Sequence, residues 1–486
     1  METHSATVFF VGDRAYKLKK PVDLGFLDFR SRGARSAVCH REVELNRRLA
    51  PDVYLGVADV HDPDGRVCDH LVVMRRMPAH RRLAELVRTG APVDDHVRHI
   101  AHRVAAFHAG SPRVAMADEE AGVDATQRRW ETNTSTLRQT APGAFDPEQV
   151  ELVQHLADRF LDGRRPLFDE RISRGRAVDG HGDLLADDIF CLDEGPRILD
   201  CIEFDDRLRM GDGLADAAFL AMDLEHLGRP DLGNRFLDAY REHRGDVWPA
   251  SLAHHHIAYR AQVRAKVSAI SAAQGNPEAL PEARALLDLA AHHLEQGRVR
   301  LVLVGGLPGT GKSTLARGLS ERLDVLLLRS DEVRKELAGL PVDEGAPAPF
   351  GEGIYSSAST DQTYATMLAR AETALGMGET VLIDASWTSE ALRRRARALA
   401  AKSDADLVEL HCDAPASIAH DRIRRRLADA ADASDATPAI ARAMGAMQAP
   451  WPEATTIDTT VDATEALAIG LQHLRQPSAQ RATAPD

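Results

Sequence analysis

The chain has 486 residues and a formal net charge of −14, too long for one hydrophobic core and long enough for about two to four domains. Acidic residues outnumber basic ones both before and after residue 298, so neither part has the bulk cationic surface of a nucleic-acid binder. No apolar run approaches the ~20 residues of a membrane span, and the five cysteines are scattered without a C-x-x-C pair, which argues against a disulfide framework or a zinc site.

The opening METHSAT is polar and VFFV is too short for the apolar core of a secretion signal, so the expected compartment is the cytoplasm. Residues 7–20 predict two short strands turning at Gly12-Asp13. A helix is expected over 35–49, then strands at 55–61 and 67–76 around Asp62-Pro63-Asp64-Gly65. From Val93 the pattern becomes helical: Val93, Val97, Ile100, Val104 and Phe107 recur near 3.6-residue spacing. A strand pair at 189–193 and 197–204 interrupts the helices, which then resume to Gly297. After Gly297 strands and helices alternate, the signature of a parallel sheet. Strands are expected at 300–304, 324–329, 379–384, 405–411 and 454–458, with helices between them. Residues 339–353 are Pro/Gly-rich and predict a mobile flap, and 428–438 an acidic link. The expected domains are a small lobe over 1–78, a mainly helical lobe over 79–297, an α/β domain over 298–475 and a disordered tail over 476–486.

The most specific signal is Gly306-Leu307-Pro308-Gly309-Thr310-Gly311-Lys312-Ser313-Thr314. It follows an apolar strand and opens a helix, the context a phosphate-binding loop requires. Glycines let backbone N–H groups turn around a phosphate chain, and the helix start adds partial positive charge. Lys312 is placed to reach the terminal phosphates of ATP and the Ser313 hydroxyl to ligate Mg²⁺. Val381-Leu382-Ile383-Asp384 ends an apolar strand on an acid, which assigns Asp384 to the metal's shell. Asp331 lies at a strand's carboxyl end, where such sheets bind ligands. It can take a hydroxyl proton or cap the next helix. Arg334, one turn on, is placed to hold a substrate anion. Arg422 and Arg426 share one helix face.

With GLPGTGKST, SDEVR, VLIDAS and the arginine-rich helix, residues 298–475 resemble P-loop kinases of the polynucleotide kinase, zeta-toxin and chloramphenicol phosphotransferase group. The resemblance implies Asp331 as catalytic base and Arg422 and Arg426 as lid residues contacting ATP phosphates.

His181-Gly182-Asp183-Leu184 precedes the strand pair, with Asp188 and further acids beyond it. Kinase catalytic loops place a base, a metal ligand and a second metal-binding acid in this order. Asp183 takes the first place and Asp188 the second. Glu203 takes the third, with Asp200 and Asp205 as alternatives. Lysine is scarce in this arginine-rich chain, yet Lys17, Lys19 and Lys20 cluster, and a compact ammonium suits phosphate contact.

Residues 1–290 resemble aminoglycoside phosphotransferase-like kinases, whose motif is H-G-D-[LI]-H-x-x-N. The resemblance implies a bilobal, protein-kinase-like α+β domain, with Lys17 on the nucleotide phosphates, Glu42 as its helix partner and Lys19 as the alternative lysine. Leu185 and Asp188 stand where the motif has His and Asn, and no glycine-rich loop precedes Lys17. Aspartate ligates Mg²⁺ as asparagine does, with extra negative charge. Together the resemblances imply two kinase-like modules in tandem that use ATP and Mg²⁺ to phosphorylate a small-molecule hydroxyl. The alternatives are an ATP-binding switch with a pseudokinase sensor, and a 5′-hydroxyl nucleic-acid kinase, which the acidic charge disfavours.

Overall fold

The structure is a computed structural model that describes residues 6–23, 28–341, 351–429 and 436–475. Most of the expected flap and link, and all of the expected tail, lie outside these residues. The chain divides into two compact units. The first comprises Met1–Ala157, Phe168–Trp248 and Leu252–Leu294, and the second Asp158–Leu167, Pro249–Ser251 and Glu295–Asp486. The short segments 158–167 and 249–251, assigned from sequence to the helical lobe, thus group with the second unit. Among the described residues no helix is long and apolar enough to cross a membrane.

The first unit begins with β1 (Ala6–Val11), β2 (Arg14–Lys19), β3 (Tyr54–His61) and β4 (Val67–Arg75), antiparallel in the order β1-β2-β4-β3. The Arg32–Asn46 helix starts where the Ser31 side chain accepts the Ala34 N–H, satisfying one of the helix's free donors. Its Cys39 and Val43 pack with Val53, Tyr54 and Val72 of the sheet side. Glu42, on the same helix, is wholly buried beside them. Lys17 and Lys19 alternate along β2 and therefore share a face, and this is the face that meets Glu42.

Two small strand pairs frame the chemistry of the larger lobe. Strands β5 (Ala177–Asp179) and β8 (Met210–Asp212) pair antiparallel, as do β6 (Ile189–Leu192) and β7 (Gly195–Ile198). The expected strand to 204 stops at Ile198. The reason is local: Asp200 has φ +66°, a left-handed conformation that cannot continue a ladder. Asp212 then starts the Gly213–His226 helix by accepting the Leu214 N–H at 2.8 Å.

The second unit is built on β9 (Arg300–Gly305), β10 (Leu326–Arg329), β11 (Val381–Asp384), β12 (Asp406–Asp413) and β13 (Thr455–Asp458), all parallel, in the order β10-β11-β9-β12-β13. Strand β9 is central, and Leu301 through Val304 are all buried. Val302, Val304, Leu382, Leu410 and Ile457 pack with Leu315 and Leu319 of the Lys312–Leu323 helix. This core fixes the carboxyl ends of the strands, where the chemistry sits. One helix, Pro438–Met447, was not expected from sequence. Thr437 caps it through the Ile440 N–H and proline occupies its first turn, a start signal proline tolerates well.

Candidate active sites

In the first unit the lysines of β2 meet acids from two other segments, the Arg32–Asn46 helix and the stretch after β7. Lys17 Nζ lies 2.9 Å from Glu42 Oε1 and 2.5 Å from Asp200 Oδ1. Lys19 Nζ lies 2.6 Å from Glu42 Oε2 and 2.6 Å from Glu203 Oε1. Of the acids offered for the third place, Asp200 stands with Lys17 and Glu203 is tied to Lys19. Asp205 caps the Asp206–Leu208 turn and pairs with Arg207. Burial opposes every charge in this cluster. For Asp200 and Glu42 the lysines overcome it and hold both carboxyls below their usual range. For Glu203 burial wins and raises the carboxyl.

The His181-Gly182-Asp183 loop is anchored from behind. The N–H groups of His181 and Gly182 donate to the Asp216 carboxylate at 2.8 and 2.7 Å, and His108 Nε2 lies 3.0 Å from the same group. Arg260 Nη1 donates to Gly182 O at 3.2 Å. Gly182 sits at φ +87°, where a Cβ would stand 2.9 Å from Arg209 Cβ, so no other residue fits. Burial raises the Asp183 carboxyl, partly offset by Arg264. Asp188 is raised further, first by burial and then by the charges of Asp200 and Asp183. Carboxylates that repel one another are a donor set that a divalent cation would relieve, so the half-buried Asp188 and the more exposed Asp200 fit a metal. Among the described residues no three His, Cys, Asp or Glu side chains form a ready-made metal site, and Lys17 engages Asp200 instead.

In the second unit backbone, not side chains, shapes the cradle. Gly306, Gly309 and Gly311 have φ of +143°, +85° and +86°. A Cβ at Gly306 would stand 2.6 Å from Cys412 O, and one at Gly309 2.3 Å from Ala419 O. Thr310 closes the turn onto Leu307 O through its N–H and hydroxyl. Lys312, Ser313 and Thr314 then begin the helix, and of the loop's other two residues Leu307 is half-buried and Pro308 buried. Asp384 is in register with Val304 of β9. Its Oδ2 accepts from Arg329 Nε at 3.3 Å, whereas Oδ1 is buried with no hydrogen-bond partner among the described residues. A buried carboxylate oxygen beside a phosphate loop fits a Mg²⁺ shell completed with Ser313. Arg422 donates to Thr459 O at 2.7 Å, its Nη1 is buried without a partner, and a Cβ at Gly311 would lie 3.5 Å from that nitrogen. Arg426 instead donates to Ala436 O.

The helix after β10 runs Ser330–Leu337 with Arg329 at its N-cap position. Asp331 is therefore inside the first turn, and the capping role is not the one it takes. Arg334 is buried; its Nη1 donates to Ile354 O at 2.9 Å and Thr360 Oγ1 at 3.1 Å, its guanidinium lies 4.9 Å from the Tyr355 ring, and its Nε has no hydrogen-bond partner among the described residues. Tyr364, 3.3 Å from Ser386 Oγ and accepting the Trp387 N–H, has its hydroxyl raised mainly by burial, with Arg334 and Asp331 both close enough to act on it.

The model described as Phosphotransferase enzyme family matches residues 3–254, more than half of the chain. The chain belongs to that family. The model described as AAA domain matches residues 301–450. Uncharacterized proteins of Mycobacterium tuberculosis and Mycobacterium bovis are each 46% identical over 458 residues, 94% of this chain and 91% of the relative. The GDP complex of aminoglycoside 2′-phosphotransferase-IIIa is 15% identical, covering 60% of this chain and 91% of that one, with a TM-score of 0.37. A gluconokinase from Sinorhizobium meliloti is 15% identical, covering 36% and 91%, with a TM-score of 0.27.

In this phosphotransferase the candidate sites also bring in residues that sequence reasoning did not single out. Asp216, Arg329 and Tyr364 are placed by tertiary contacts and no motif or spacing marks them, while Ser386 closes the VLIDAS motif without having been given a role. His255 and His256 are buried structural residues, and His254 pairs with His293 at 2.8 Å, so the three consecutive histidines form no common site.

Proposed function

We propose that the protein transfers the γ-phosphoryl group of ATP to a hydroxyl of a small-molecule acceptor, and that each unit carries a nucleotide site. The observation that carries this reading is the glycine cradle of β9 with Lys312 at its helix and the unpartnered Asp384 Oδ1 in register beside it. When bound, Mg²⁺ would supply charge neutralisation for the phosphates, held by Ser313 and Asp384 in the second unit and by Asp188 and Asp200 in the first. In the second unit Lys312 and Arg422 hold the phosphate chain and the glycine N–H groups orient it. Asp331 accepts the acceptor's hydroxyl proton as the new P–O bond forms and the bond to ADP breaks. Arg334 holds an anionic part of the acceptor. In the first unit Lys17 and Asp183 have the corresponding phosphate and base roles.

The test is transfer from γ-labelled ATP into a small-molecule extract by the full chain. Label in an organic phosphate monoester that disappears with Asp331→Asn supports the reading. Release of inorganic phosphate alone, at the same rate in the variant, would sink it. The net charge of −14 keeps nucleic acid a disfavoured acceptor.

A further inference from the structure

The phosphate-holding lysine of the first unit is not paired singly. Glu42 spends both carboxylate oxygens on two different ammonium groups, Oε1 on Lys17 at 2.9 Å and Oε2 on Lys19 at 2.6 Å. Lys19 is in turn held by Glu203 at 2.6 Å and is only 2% exposed, while its ammonium lies 5.7 Å from the Phe29 ring. Lys17, by contrast, is shared between Glu42 and Asp200. The four side chains Lys17, Glu42, Lys19 and Glu203 therefore form an alternating row of charges, with Glu42 and Lys19 wholly buried in the middle and Lys17 and Glu203 each slightly exposed at the ends.

This arrangement has a consequence for nucleotide entry. For Lys17 to hold phosphate, its bond to Asp200 must be exchanged for one to the nucleotide. During that exchange Glu42 has to stay where it is, because it is what aims Lys17. A carboxylate held through one oxygen by a mobile partner would move with that partner. Held through its other oxygen by a buried lysine, it stays. Resting on the proposal that the first unit binds ATP, we propose that Lys19 is a positioning residue for that site: it anchors Glu42 so that Lys17 remains aimed when Asp200 is released. Glu203 serves as the counter-charge of Lys19 and meets neither nucleotide nor metal.

The experiment measures Mg·ATP affinity by calorimetry on the full chain carrying Lys312→Ala, so that only the first unit's site is read, together with thermal unfolding. Lys19→Met is expected to weaken ATP at least ~10-fold with a folded chain, the size of losing a charge-assisted bond. Glu203→Gln keeps the shape and an acceptor for Lys19, so ATP affinity should stay within about twofold while the melting temperature falls by a few degrees. Adding Glu203→Gln to Lys19→Met should not restore affinity, because Glu42 is still held by one oxygen only. Normal affinity in folded Lys19→Met, or recovery in the double variant, overturns the proposal, the latter by showing that charge balance alone matters. A tenfold loss in Glu203→Gln also overturns it and returns Glu203 to the metal or nucleotide. If Lys19→Met does not fold, the Glu203→Gln result still decides. Should Lys17→Met bind ATP as well as its parent, or the parent bind none, the nucleotide site itself fails and the role of Lys19 falls with it.

Discussion

The two units prepare for phosphate in opposite ways. In the second, the receptor is backbone: glycine conformations that no side chain tolerates, closed against Cys412 O and Ala419 O, with a helix start below. In the first, the receptor is a set of side chains drawn from β2, the Arg32–Asn46 helix and the stretch after β7, and each charge has a partner before any ligand arrives. A backbone cradle is built once the chain folds and costs no charge exchange. A paired side-chain site must break an ion pair to bind, which makes its affinity depend on what replaces that pair. The difference teaches why the phosphate receptor of the second unit is announced by a short motif, whereas in the first unit the short motif marks only the loop of Asp183 and not the lysine site.

The sharpest way to break the comparison is at the bases. Asp331 lies inside its helix's first turn, so Asp331→Asn leaves the helix start at Arg329 intact. If Asp331 is the base, transfer by the second unit, read in a Lys17→Met background, should fall ~10²–10⁴-fold with ATP affinity kept. Near-normal transfer would leave the second unit a binding module only.

The cradle itself can be tested next. Gly309→Ala forces a Cβ to 2.3 Å from Ala419 O at φ +85°. Left-handed strain and overpacking together should cost roughly 2–4 kcal/mol of the second unit's stability and weaken ATP there while the first unit keeps its affinity. An unchanged melting profile with unchanged binding would mean that the loop adopts another shape.

What the sequence revealed follows the same division. The motif from Gly306 to Thr314, the strand ending in Asp384 and the position of Asp331 are local patterns, and each was legible because the chemistry needs particular residues at fixed spacing. The scarcity of lysine points to the Lys17, Lys19 and Lys20 cluster, but only family resemblance gives Lys17 its role and Glu42 as its partner, and the sequence leaves Glu203, Asp200 and Asp205 as alternatives for the third acid. Nothing local separates those acids. What decides is the left-handed turn at Asp200, whose N–H donates to the Tyr54 hydroxyl at 3.1 Å across a separation of 146 residues. Strands β5 and β8 escaped notice for a similar reason: three residues each are too few to show periodicity. The helix Pro438–Met447 was passed over although Thr437-Pro438 marks its start.

The smallest expected effect separates the units by pH. The first unit buries a neutral His256, whose pKa burial lowers to about 4, against the ordinary value near 6.5 in the unfolded chain. Between those values the unfolded chain binds the proton and the folded chain does not, so this residue's contribution to stability is present above pH ~6.5 and is lost as pH falls toward ~4. Asp183, Asp188 and Glu203, raised by burial, act in the opposite sense, because the folded chain protonates them first. The comparison is therefore made between variants: His256→Gln should change the stability difference between pH 7 and pH 5 by roughly 1–2 kcal/mol in favour of pH 5. An identical pH dependence in denaturant titrations of the first unit's transition would show that His256 is protonated in the folded chain.

The central claim, that one chain holds two separate nucleotide sites of different construction, is tested most directly by the stoichiometry of Mg·ATP binding to the full chain in calorimetry. Two equivalents are predicted for the native chain, one for Lys312→Ala, one for Lys17→Met and none for the double variant. A single equivalent that survives Lys312→Ala or Lys17→Met unchanged, or binding that persists in the folded double variant, would contradict it.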